Sequence, residues 1–253
     1  MPKIVSIHSY RGGTGKSNST ANLAATIAKY GKRVAIVDTD IQSPGIHVLF
    51  GFNGDQIKTS LNDYLWGRRP ISEVYYDVSS TLGEAASAGG KIYLIPCSTR
   101  AEDIARVLRE GYDIERLSEG LQTLVTELKL DYLLVDTHPG LNEETLLSIT
   151  ISDILVLILR PDMQDYQGTA VTVDVSRKLQ VPNLLMLVNK VPTAFDLDEL
   201  KAKIEKIYDV EVVGVLPHSD EMMVLASSGL FTVKYPNSPL TKVFDGVARR
   251  IMQ

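Results

Sequence analysis

Short, β-branched apolar runs alternate along this chain with longer stretches of helical period. Residues 4–7, 33–37, 92–95, 132–135, 154–159, 184–188 and 212–216 read as strands, most of them apolar at consecutive positions. Strands of that kind are buried on both faces. The pattern therefore predicts an α/β fold, a doubly wound, mostly parallel β-sheet flanked by helices on both faces. A helix is predicted from about 16 to 30, with Ala21, Leu23, Ala24, Ile27 and Ala28 on its apolar stripe and Gly31 as its stop. Residues 79–91, with Gly83, Gly89, Gly90 and several Ser and Ala, look like a loop. They are too few, and too near flanking strands, to link two domains, so 1–253 reads as a single domain. Residues 196–211 carry six acids and three lysines on a helical pattern, the mark of a solvated helix face.

Composition narrows the classes. One cysteine in 253 residues excludes an internal disulfide, a four-cysteine zinc site and an iron–sulfur cluster held within one chain. No apolar run reaches the ~18 residues of a membrane helix. The start, Met1-Pro2-Lys3-Ile4-Val5, has too few apolar residues for a secretory signal. The expected location is cytoplasmic. A net charge of −5 argues against a dedicated nucleic-acid binder, while leaving room for a local basic patch.

The candidate chemistry begins at Arg11-Gly12-Gly13-Thr14-Gly15-Lys16-Ser17. This block follows a predicted strand and opens a predicted helix, the setting a phosphate-binding loop needs. Glycines let the backbone wrap an anion closely, because they carry no Cβ and accept positive φ. Successive N–H groups and the helix N-terminus then face the phosphates. Lys16 can reach the β- and γ-phosphates, and the Ser17 hydroxyl can ligate Mg²⁺. Gly12, Gly13, Thr14, Gly15, Lys16, Ser17 and Asn18 are the candidate nucleotide-binding residues here. The general pattern G-x-x-x-x-G-K-[ST] would put its first glycine at position 10, where this chain has Tyr10. Asp38 and Asp40 follow one strand and Asp136 closes another. Parallel strands aim their C-terminal ends at the ligand crevice, where carboxylates hold Mg²⁺ or orient water. Asp136, ending an apolar strand, has the placement of a Walker B acid that binds Mg²⁺ through water.

The loop resembles the K-G-G-x-G-K-[ST] motif of the MinD/ParA family of deviant Walker A P-loop ATPases at six of seven positions. The exception is Arg11, where the family has its signature lysine; arginine keeps the charge and adds a planar fork suited to phosphate. The resemblance implies ATP and Mg²⁺ as cofactors and an ATP-dependent homodimer in which Arg11 reaches the partner's nucleotide. It makes Lys16, Asp40 and Arg11 the catalytic set. Asp40 stands 24 residues beyond Lys16, as the family's water-positioning aspartate does. Asp38 matches the metal-proximal acid, so Ser17, Asp38 and Asp136 form the implied metal set. Asp136-Thr137-His138-Pro139-Gly140 is similar to the family's D-[ST]-x-x-G turn, which makes Gly140 the implied switch residue that senses the γ-phosphate. His138 is not taken as a general base, since the family varies there and positioning does most of the work in phosphoryl transfer. Asn189 would bond the adenine ring and Pro217 would pack on it. Asn18 stands where the family has a second hydroxyl residue. The similarity runs over nearly the whole chain, including the segments 60–67 and 95–100, and leaves Cys97 as a packed small residue. Residues 222–239 are closer to MinD-like than to ParA-like sequences. Reductases and iron–sulfur carriers among the relatives use cysteines, which a single cysteine disfavours.

The surface that such a dimer would recognise is less defined. MinD-like members add an amphipathic membrane helix, but the segment 239–252, with Leu240, Val243, Phe244, Val247 and Ile251 on one face, reads as a packing helix. Membrane binding is therefore disfavoured. Non-specific DNA, as for ParA-like members, would use Arg177, Lys178, Lys234, Arg249 and Arg250, doubled in a dimer and consistent with nucleoid association. A protein adaptor or activator is the third option. The function expected from the resemblance is a dimerising switch ATPase that positions or partitions cargo: DNA, a protein complex, or a division or flagellar site. Two alternatives stay open. One is a P-loop kinase that transfers phosphate to a small molecule or protein. The other is a weakly hydrolysing, ATP-bound regulator that sequesters a protein partner.

Overall fold

The computed structural model describes residues 2–253, the side chains of residues 85 and 87 excepted. Met1, which begins the segment read above as lacking a secretory signal, lies outside them. In chain order the elements are β1 (Lys3–His8), α1 (Lys16–Lys29), β2 (Arg33–Asp38), α2 (Leu61–Leu65), β3 (Tyr76–Asp77), β4 (Lys91–Ile95), α3 (Ala101–Glu110), α4 (Ile114–Glu127) and β5 (Tyr132–Asp136). Then come α5 (Glu143–Thr150), β6 (Ile154–Leu159), α6 (Met163–Lys178), β7 (Asn183–Val191), α7 (Leu197–Tyr208), β8 (Glu211–Pro217), α8 (Asp220–Leu225), α9 (Phe231–Lys234) and α10 (Pro239–Met252).

The strands form one eight-stranded sheet in the order β3-β4-β2-β5-β1-β6-β7-β8. Every pairing is parallel except β3 with β4. Successive side chains leave a strand on opposite faces, and both faces are apolar. On β2, Val34 and Ile36 enter the core shared with α1 and α10, while Ala35 and Val37 enter the core under α2 and α4. Beyond β6 the second face is covered by α6 and α7, through Val173, Leu200, Ile204 and Tyr208. Both layers were expected from the sequence. β3 was not, because two residues at a sheet edge carry no readable period.

α1 is more deeply buried than its stripe implied. Thr20, Asn22, Ala25 and Thr26 are buried as well, because α9 and α10 close over its outer side. The buried polar groups are satisfied locally. Asn22 Nδ2 donates to Asn18 Oδ1 at 2.8 Å, and Asn22 Oδ1 accepts the Thr232 N–H at 2.8 Å. α10 buries Leu240, Phe244, Val247 and Ile251. It lies close to β8 at Gly214, where a Cβ would come within 2.9 Å of Val243 and Val247. The expected loop at 79–91 is largely a kinked 3₁₀ segment, Ser79–Ala88. On α7 the charged face is exposed, as its pattern predicted. Among the described residues, no helix is long and apolar enough to cross a membrane.

Candidate functional site

The glycine-containing loop joins β1 to α1 at the C-terminal edge of the sheet. Gly13 (φ 75°) and Gly15 (φ 98°) take left-handed conformations that side chains rarely adopt. A Cβ on Gly15 would also run into the Asn189 amide. The strand end opposite holds the loop from outside. Asn189 Nδ2 donates to Thr14 O and Lys190 Nζ donates to Gly13 O, each at 2.8 Å. Lys190 has φ 56° and sits where the β7–β8 register shifts. The first turn of α1 carries no acid, so no carboxylate competes there for the free N–H groups that suit an anion. Lys16 is buried at that turn, and among the described residues its ammonium has no hydrogen-bond partner. Burial lowers its amine, against the pull of Asp136, Asp40 and Asp38.

The acids meet because β2 and β5 pair in register, with Asp38 opposite Asp136. Both are buried. Burial pushes the Asp136 carboxyl up to about 6, with the Ser17 and Thr20 hydroxyls and Lys16 working the other way. Burial, then the Asp136 charge, push Asp38 up as well. Asp38 Oδ1 accepts the Asp40 N–H at 3.0 Å, but Oδ2 is buried without a partner. Two facing acids, an orphaned carboxylate oxygen and a nearby serine hydroxyl fit a divalent cation, which would relieve the charge repulsion. The hydroxyl of Thr14, in the loop itself, is also buried without a partner among the described residues.

The turn after β5 makes further links. His138 Nδ1 donates to Asp40 Oδ1 at 2.7 Å. Gly140 has φ 86°, and its N–H donates to Ser9 O at 3.1 Å. The Thr137 hydroxyl donates to Ile7 O at 3.0 Å and accepts from His8 Nδ1 at 2.8 Å. His8 is fully buried, and burial followed by the Lys16 charge pushes its imidazole down to about 3.

Arg11 points away from the loop's interior. Its guanidinium lies 3.4 Å from Asp162 and 3.6 Å from Asp165, at the start of α6. Arg160 brackets the same two acids, at 3.1 Å from each. Tyr10 lies across α6 at Gly168, where a Cβ would strike its ring. On the other side of the loop a cavity of about 370 Å³ is lined by Gly15, Asn18, Asn189, Pro217, Met222 and Phe244, among others. The structure thus gathers the loop, Asp38, Asp40 and Asp136 at one crevice, with Asn18, Asn189 and Pro217 around an adjoining cavity.

Sequence reasoning missed Lys190, the His138–Asp40 pair and the acids facing Arg11. The Asn189 amide, expected at a base, ties the loop through Nδ2 to Thr14 O, and its Oδ1 accepts the Lys190 N–H at 2.8 Å. The five basic residues expected to form a patch are mostly occupied. Arg250 pairs with Glu211 at 2.9 Å, Arg249 with Asp245 at 2.8 Å, and Arg177 donates to Tyr208 O at 2.7 Å. Cys97 is buried and donates to Asp38 O at 2.8 Å, as a packed small residue should.

A parallel sheet whose first strand turns through such a loop into a buried helix is the frame of a P-loop nucleotide-binding protein. The profile of the CobQ/CobB/MinD/ParA nucleotide binding domain matches residues 5–233, and the chain belongs to that family. An uncharacterised ATP-binding protein of Methanocaldococcus jannaschii is 28% identical over 254 residues, spanning 100% of this chain and 88% of that protein. The septum site-determining protein MinD of Bacillus subtilis is 23% identical over 264 residues, spanning 100% of this chain and 90% of its own. The fold is shared with the cell division ATPase MinD of Pyrococcus furiosus at a TM-score of 0.81 and 22% identity, covering 100% and 99% of the two chains.

Proposed function

We propose that this chain is an ATP-dependent dimerising switch that hydrolyses ATP to ADP and phosphate. The observation that carries the reading is the in-register pair Asp38 and Asp136 together with the buried Lys16, whose ammonium has no hydrogen-bond partner among the described residues and feels the charge of both acids. In this reading Lys16 and the amides of Gly12 to Ser17 bind the phosphates. Ser17, Asp38 and Asp136 hold Mg²⁺, which screens phosphate charge when bound. Asp40 orients the attacking water. Gly140 exchanges its bond to Ser9 for the γ-phosphate. Arg11 leaves Asp162 and Asp165 to meet the partner subunit's nucleotide. Asn18, Asn189 and Pro217 line the base side.

Similarity to septum site-determining proteins supports a positioning role, with the cargo left to experiment. The pairing of Arg177, Arg249 and Arg250 with acceptors on their own chain speaks against a strong DNA patch. A protein partner is therefore the preferred surface. The test is direct. Lys16→Ala should abolish ATP binding. Asp40→Ala should bind ATP, fail to release phosphate, and sediment as a dimer. Normal phosphate release by Asp40→Ala would overturn the reading, as would transfer of the phosphate to an acceptor other than water. Co-sedimentation of the trapped dimer with plasmid DNA or anionic liposomes, each in ATP and in ADP, then identifies the surface.

A further inference from the structure

We infer that His138 is a positioning residue for hydrolysis, holding the Asp40 carboxylate so that one of its oxygens stays free for water. The inference rests on the assignment of Asp40 given above. Its origin is the strand register. Asp38 and Asp136 face each other on neighbouring parallel strands, so the residues two beyond each, Asp40 and His138, leave the sheet side by side. They meet at 2.7 Å through His138 Nδ1, which fixes the proton on that nitrogen while Asp40 is a carboxylate.

The two oxygens of Asp40 are not equivalent. Oδ1 accepts from His138, from the Ser43 hydroxyl at 2.9 Å and from the Ser43 N–H at 3.3 Å. Among the described residues, Oδ2 has no hydrogen-bond partner. A carboxylate just beyond a strand end would otherwise turn about its side-chain bonds. Pinning one oxygen aims the other, and aim is what orientation-dependent catalysis requires. The backbone that carries the imidazole is held. The His138 carbonyl accepts from the Thr145 hydroxyl at 3.4 Å, and Asn142 caps α5 directly behind through the Thr145 N–H at 2.8 Å. His138 acts through Asp40 and needs no contact with the nucleotide.

The experiment measures steady-state phosphate release against MgATP for His138→Ala, His138→Asn, Asp40→Ala and the double variant. Binding of a fluorescent ATP analogue and the thermal midpoint are recorded for each. The expected result is a kcat about tenfold lower for His138→Ala with KM unchanged. His138→Asn, whose amide can donate from nearly the Nδ1 position, should recover most of the rate. In the Asp40→Ala background, His138→Ala should have no further effect. An unchanged kcat in His138→Ala, with Asp40→Ala inactive, overturns the positioning role and leaves the switch reading standing. A His138→Asn variant as slow as His138→Ala also overturns it, in favour of proton transfer by the imidazole. If Asp40→Ala hydrolyses normally, the switch reading falls and the His138 role falls with it. Should His138→Ala not fold, Ser43→Ala together with His138→Asn decides the matter, since Ser43→Ala should slow kcat without moving KM.

Discussion

The two ends of the glycine loop are held by different kinds of force. The trailing end, Gly13 and Thr14, is tied to β7 by hydrogen bonds from Lys190 and from the buried Asn189 amide. The leading end, Tyr10 and Arg11, rests on α6 through a ring laid on Gly168 and through ion pairs from Arg11, 37% exposed, to Asp162, 41% exposed, and to the buried Asp165, which has Arg160 as a second partner. Buried hydrogen bonds lose their full value when a partner is removed, because the remaining group stays desolvated. Exposed ion pairs contribute about 0–1 kcal/mol and can be traded for another partner at little cost. The end that must shape the phosphate site is thus fixed. The end expected to meet a second subunit is held by contacts weak enough to exchange.

The largest effect that would probe this contrast comes from His8, buried at the foot of the loop. Burial pushes its imidazole down to about 3 from the ordinary 6.5. The unfolded chain takes up a proton below 6.5 while the folded one does not. Stability from this group is therefore full above about pH 6.5 and falls as pH drops toward 3, by on the order of 5 kcal/mol in all. Asp136 runs the other way, because a carboxyl raised to about 6 makes the fold gain stability as pH falls from 6 toward 4. The His8 part is isolated by urea unfolding of wild type and His8→Gln at pH 7.5 and pH 5. The wild type should lose about 2 kcal/mol more than the variant over that interval.

A smaller effect is expected at the trailing end. Asn189→Ala removes the donor to Thr14 O from a buried site, worth about 1–3 kcal/mol. ATP affinity, read by titration with a fluorescent analogue, should fall about tenfold or more. The smallest belongs to the leading end. Arg11→Ala should move the thermal stability by less than about 1 kcal/mol and the ATP affinity of the monomer by less than about threefold. Yet ATP-dependent dimerisation, followed by sedimentation in the Asp40→Ala background, should be lost. A collapse of monomer ATP affinity in Arg11→Ala would erase the distinction between the two ends.

What was legible in the sequence follows the same division between near and far. The strands could be read because consecutive apolar residues such as 154–159 have one explanation. The loop could be read because its glycines, Lys16 and Ser17 are contiguous. Asp38 and Asp136 could be placed at strand ends one at a time. The facts that join distant segments could not be read. Nothing local says that β2 and β5 pair in register and bring His138 to Asp40, or that Lys190 reaches Gly13. Arg11 could be flagged as unusual, but Asp162 and Asp165 lie about 150 residues away, and only the fold makes them neighbours. The full burial of α1 was hidden for a related reason. Alanine, threonine and asparagine do not announce which sides other helices will cover.

That burial has a mechanical consequence. α1 is a 14-residue rod, about 21 Å long. It is clamped along its length by the sheet below and by α9 and α10 above, with Asn22 bonded to the Thr232 N–H. A close-packed interior yields very little to load. When a ligand pushes on the loop, the rod cannot slide or tilt to absorb the strain. The compliance of the site is therefore concentrated in the leading residues of the loop, Ser9 to Gly12, which act as a short spring between β1 and the part tied to β7.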